Sequence, residues 1–68
     1  MSESQAIEAL RNTFERVRGI KSVRTLAQER VRARRAFEKA NLRASDKGVV
    51  LLLNSGQRVY LTIKVQSG

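Results

Sequence analysis

Seven residues recur at the spacing of helical turns. Lys21, Arg24, Gln28, Arg32, Arg35, Lys39 and Arg43 are separated by three, four, four, three, four and four positions. Steps of three and four keep side chains on one face of a helix, so six cations fall along one arc with no carboxylate among them. Such a row suits a polyphosphate. Each guanidinium offers a planar fork of donors to phosphate oxygens or base edges, and it sheds its hydration more cheaply than an ammonium does. Ten of the 14 basic residues are arginine, a preference that solubility alone does not require.

Arg30 and Arg34 lie one turn apart, on the flank away from this row. Their stems can cover the edge of a core while their heads find Glu15, Glu38 or water. With Arg32 and Arg35 they also make the run Arg30-Val31-Arg32-Ala33-Arg34-Arg35, which resembles the arginine-rich helical segments that bind structured RNA. The expectation is phosphate contact from Arg24, Arg32, Arg35, Lys39 and Arg43, with Lys21 on the same arc, and base contact from Arg30 and Arg34. Thr25 to Arg30 looks like the opening of a helix in helix-turn-helix repressors. That motif needs a tight turn, often with Gly, ahead of its recognition helix; Val31 to Ala44 contains neither Gly nor Pro, so the motif is set aside.

The charge is concentrated. The chain has 68 residues and a formal net charge of +8. From Arg11 to Arg43 there are 11 basic and 3 acidic residues, so this stretch alone carries the whole surplus. A local excess of this kind calls for an anionic partner, DNA or RNA first, with an acidic protein surface as the alternative. The alternative function is that of a small phage- or mobile-element-type inhibitor or adaptor docking on an acidic patch of a larger complex.

Other chemistry finds little support. There is no histidine and no cysteine, which removes the usual general base, thiol chemistry and the common metal ligands, so neither a catalytic nor a metal site is expected. Asp46 is the only aspartate, the glutamates read as exposed helix positions without an acid–base partner, and Gly19 is too solitary to cradle a phosphate. No cofactor is implied, and the chain reads as a non-enzyme. The longest apolar run, Val49 to Leu53, is far below the ~20 residues a membrane span requires. No secretory leader is visible, so a cytoplasmic or nucleoid-associated location is expected. An amphipathic helix lying on a membrane would need bulkier anchors than the alanines between Leu26 and Phe37. A sheet-borne single-strand platform would need more exposed aromatics than Tyr60, which reads as a secondary contact on a wet face.

The elements that must position these groups follow from periodicity. Helix 1 is expected over about 2–18, capped by Ser2 or Ser4, with Ala6, Ile7, Leu10, Phe14 and Val17 as its apolar stripe. Gly19 stands as its left-handed terminator, and Ile20 can fold back on Phe14. Helix 2 is expected over about 22–44, capped by Ser22 or by a Thr25–Gln28 capping box, and about 33 Å long. Its core arc is Leu26, Ala33, Ala36, Phe37 and Ala40, interrupted by Glu29. The period then changes to two. Val49 to Leu53 and Val59 to Val65 flank a three-residue Asn54-Ser55-Gly56 loop, predicting a β-hairpin over about 48–66. The result is one small α+β domain in the order α-α-β-β, with a two-stranded antiparallel hairpin. Because Val49–Leu53 is apolar on both faces, either helix 1 wraps over the second side or a homodimer pairs through the hairpin.

Overall fold

The computed structural model describes residues 2–64 and contains α1 (Glu3–Phe14), β1 (Ile20–Thr25), α2 (Leu26–Arg32), α3 (Arg34–Lys39), β2 (Lys47–Leu53) and β3 (Arg58–Ile63). The class is α+β, but the order is α-β-α-α-β-β and the sheet has three antiparallel strands, β1-β2-β3. Val65 and Gln66, placed by the sequence at the end of the second hairpin strand, lie outside the described residues.

The local signals act where the sequence puts them. The Ser2 hydroxyl accepts from the Gln5 backbone N–H while the Gln5 side chain accepts from Ser2 N–H, closing a capping box on α1. α1 ends at Phe14, short of the expected Arg18, and the left-handed Gly19 sits at the entry to β1 instead of directly at a helix end. At the hairpin, Leu53 N–H donates to Gln57 O and Gly56 takes φ +92°, enclosing the loop Asn54-Ser55-Gly56.

The expected single helix over 22–44 does not form. Its first residues are strand β1, paired with β2 through Val23↔Leu51, Arg24↔Val50 and Thr25↔Val49. The register shifts between Ile20 and Ser22, so Lys21 is an extra residue that turns Ile20 and Val23 to the same face. Thr25, not Ser22, is the cap: its hydroxyl accepts from Gln28 N–H at 3.2 Å and its own N–H donates to Gln28 Oε1 at 3.1 Å. One threonine thus ends a strand and starts a helix. Replacing it by Ala is expected to lower stability by about 1 kcal/mol, while Thr25→Ser, which keeps the accepting hydroxyl, should lose much less. A urea midpoint unchanged in Thr25→Ala would show that the box contributes nothing.

The helix breaks again at Ala33 (φ −138°, ψ 60°). Leu26, Phe37 and Val50 share one buried cluster. On a straight helix Leu26 and Phe37 would stand about 16 Å apart along the axis, too far to close on one valine. The bend at Ala33 lets both reach it.

The two oily faces of β2 are each covered within the chain. Val49 and Leu51 join Val23 and pack with Ile7, Leu10 and Phe14 of α1 on one side. Val50 faces Leu26, Phe37, Leu42 and Tyr60 on the other. Of the two covers the sequence left open, wrapping within the chain is the one these contacts supply. α1 takes one face of the sheet and α2–α3 take the other.

Candidate nucleic-acid interface

The face of the sheet beneath α2 is organised around Glu29, which is only 1% exposed. It stands three residues after Leu26 on the buried side of α2, between the outer strands. Arg24 of β1 approaches Glu29 Oε1 at 3.5 Å, and Arg58 Nε of β3 lies 3.0 Å from Oε2. Tyr60 donates its hydroxyl to Oε2 at 3.2 Å. Burial, then the negative charge of Glu29 and its hydrogen bond, hold the Tyr60 hydroxyl above its ordinary value of 10.0, against the opposing pull of Arg58. This is a clamp: one carboxylate from a helix ties both edge strands across the central one.

The clamp corrects three sequence-based expectations. Glu29 is not an exposed, partnerless glutamate but the most connected carboxylate among the described residues. Tyr60 does not lie on a wet face: it is half-buried, packed against the Leu26, Phe37 and Val50 cluster with its hydroxyl on Glu29. Arg24 is not on a helical row; it is a strand residue turned inward to Glu29. The signal for Glu29 was present, since it falls on the arc of Leu26, Ala33 and Phe37. Arg58 and Tyr60, two apart on one strand, share a face by the same rule that alternates side chains in any strand.

The continuous arc from Lys21 to Arg43 is thereby divided. Lys21 is exposed at the β1 bulge and belongs to no helix. Gln28 is used in the capping box. Arg30 and Arg32 are exposed on α2; Arg34, Arg35 and Lys39 are exposed on α3; Arg43 is exposed in the turn that follows. Arg34 Nε meets Glu38 Oε1 at 3.1 Å across one helical turn, a surface pair worth at most a few tenths of a kcal/mol, about 0.3–0.5. Asp46 Oδ2 accepts from the Arg43 backbone N–H at 2.7 Å and shapes the turn.

The carboxylates of this region are thus committed while most of its cations are not. Glu29 answers Arg24 and Arg58, and Glu38 answers Arg34. Among the described residues Arg30, Arg32, Arg35, Lys39 and Arg43 have no carboxylate within 4.0 Å. They make up the basic ridge of α2, α3 and the following turn, with Arg30 and Arg32, two positions apart, on opposite flanks of α2. No helix among the described residues is long and apolar enough to cross a membrane. No family model, curated protein or solved structure matches the chain.

Proposed function

We propose that this chain is a small non-enzymatic protein that binds DNA or RNA through the ridge on α2 and α3, in a regulatory or architectural role. The observation that carries the reading is the set of five exposed cations, Arg30, Arg32, Arg35, Lys39 and Arg43, without carboxylate partners among the described residues. Four of the five are arginine, the side chain that docks on phosphate with least loss of hydration. α2 and α3 together run roughly 20 Å at 1.5 Å per residue. A duplex presents one charge per ~1.7 Å of axis, so a ridge of that length has ample phosphates to neutralise within one turn.

The test is a titration with duplex DNA and with structured RNA over a series of salt concentrations. Neutralising about five phosphates gives a slope of log K against log salt of about −4 to −5. The double variant Arg32→Glu, Arg35→Glu should abolish the complex and leave thermal unfolding unchanged, because neither side chain supports the fold. Absence of any complex, or a slope near zero, overturns the reading. So does a stoichiometric protein partner retained from nuclease-treated lysate when neither nucleic acid binds.

A further inference from the structure

Val31 is an exception on the ridge. It stands between Arg30 and Arg32 and is 83% exposed, the most exposed large apolar side chain among the described residues. It borders a cleft of about 260 Å³ between α2 and the turn leading into β2. Ala27, Val31 and Ala44 give the cleft apolar walls, and Arg30, Lys47 and Asp46 stand around them. The volume is below the roughly 300 Å³ at which clefts for drug-sized ligands begin. It admits a group the size of one base or one large side chain, not a helix or a folded peptide segment.

The charges specify what kind of group. Arg30 and Lys47 have no carboxylate within 4.0 Å among the described residues, and they suit the phosphates on either side of a single nucleotide. Asp46 spends Oδ2 on the Arg43 N–H; an ionised carboxylate retains acceptor capacity beyond one bond. A carboxylate at this place disfavours an acidic side chain or a phosphate inside the cleft itself, while Arg30 and Lys47 stand at its rim. It accepts from an exocyclic amino group, as it does from cytosine N4.

Resting on the nucleic-acid reading above, we propose that this cleft receives one unpaired base of the bound strand. The base packs on Ala27, Val31 and Ala44, its amino group donates to Asp46, and Arg30 and Lys47 hold the flanking phosphates. An already unpaired base is the cheapest to place there, because pairing and stacking need not be broken first.

The experiment compares a duplex carrying a single cytosine bulge with the same duplex fully paired, by fluorescence anisotropy at one salt concentration. The bulged duplex should bind about tenfold tighter, since the cleft adds contact without disturbing the ridge. Ala27→Phe, at an exposed position of α2, should fill the cleft and cancel that preference while keeping the affinity for the paired duplex. Asp46→Asn keeps an acceptor for Arg43 N–H, so the turn persists. It should reduce the preference for a cytosine bulge over a thymine bulge by about threefold, as expected when a charged acceptor becomes neutral. Equal binding of bulged and paired duplexes by the unmodified protein overturns the proposal, as does a preference that survives both substitutions. Capture of an acidic, leucine-bearing peptide that Ala27→Phe abolishes, with the bulge preference unaltered, also overturns it and assigns the cleft to a protein ligand. If neither duplex binds at all, the nucleic-acid reading itself fails, an outcome distinct from paired binding without a bulge preference.

Discussion

Replacing Gly48 by alanine is expected to remove much of the stability of the fold at room temperature. Gly48 lies in the central strand β2 opposite Thr62 of β3, with φ +151°. A Cβ at this position would stand 1.9 Å from the Leu61 carbonyl oxygen and 2.9 Å from both the Leu61 carbonyl carbon and Thr62 Cα. All three atoms are backbone, so no rotamer change relieves the clash. Only separation of β2 from β3 does, and that separation also pulls Tyr60 and Arg58 from Glu29. A domain of this size has roughly 3–10 kcal/mol of stability in total, and a backbone clash in the middle of a sheet is expected to cost about 4 kcal/mol or more. Gly56 is the control. It takes φ +92° in the hairpin loop, but a methyl group there would meet nothing within 4 Å, so Gly56→Ala carries only conformational strain of about 1–2 kcal/mol. Far-UV circular dichroism and urea unfolding of the two variants check the contrast. A cooperative transition for Gly48→Ala at the midpoint of the unmodified protein would refute the expected clash.

How much of this fold can be read locally is decided by the range of the interactions. The Ser2 cap, the Thr25–Gln28 capping box, the Asn54-Ser55-Gly56 loop and the two-sided apolarity of Val49–Leu53 depend on residues within a few positions of one another, and each has its structural counterpart. β1 is different. The bulge at Lys21 breaks the alternation by which a strand announces itself, while Lys21, Arg24 and Gln28 keep helical spacing by coincidence. What makes Ile20–Thr25 a strand is the free edge of β2, which lies beyond both short helices in the chain and so outside any local window of sequence. The break at Ala33 is hidden for a related reason. Leu26, Glu29, Ala33 and Phe37 hold helical spacing on both sides of it, and only the need to bring Leu26 and Phe37 onto Val50 bends the rod.

The candidate site divides along the same line. That residues 30–43 carry a surplus of arginine is evident from composition. Which of those cations are free is not, because the answer depends on where the carboxylates go. Glu29 is claimed by Arg24 and Arg58, and Tyr60, 31 positions away, completes the arrangement. Those contacts remove Arg24 from the ridge and leave Arg30, Arg32, Arg35, Lys39 and Arg43 as its cations. The clamp takes up two guanidiniums with its one carboxylate, so the free cations that remain are those of α2, α3 and the following turn that Glu29 does not reach.

The clamp makes the second large prediction. Glu29→Ala is expected to lower stability by about 2–3 kcal/mol. Removing one member of a buried ion pair costs about 3–5 kcal/mol when its partners stay buried. Here the Arg24 and Arg58 side chains are 32% and 37% exposed, so both can turn to water and recover part of that cost. Arg58→Ala should be at least as damaging, because it leaves the carboxylate buried with Arg24 alone at 3.5 Å. Tyr60 reports on the same site and is the only tyrosine in the chain. Its hydroxyl titrates above 10.0 in the folded protein, so the stabilisation tied to its neutral form is complete below that value and is lost as pH rises through the raised one. Without Glu29 the charge and hydrogen-bond contributions vanish while burial persists, and the titration should fall part of the way back. Ultraviolet titration and urea unfolding of the same variant measure both effects. A Glu29→Ala protein that unfolds within a few tenths of a kcal/mol of the parent (about 0.3, the size of an exposed pair) and titrates at the same pH would show that the three strands are held without this carboxylate.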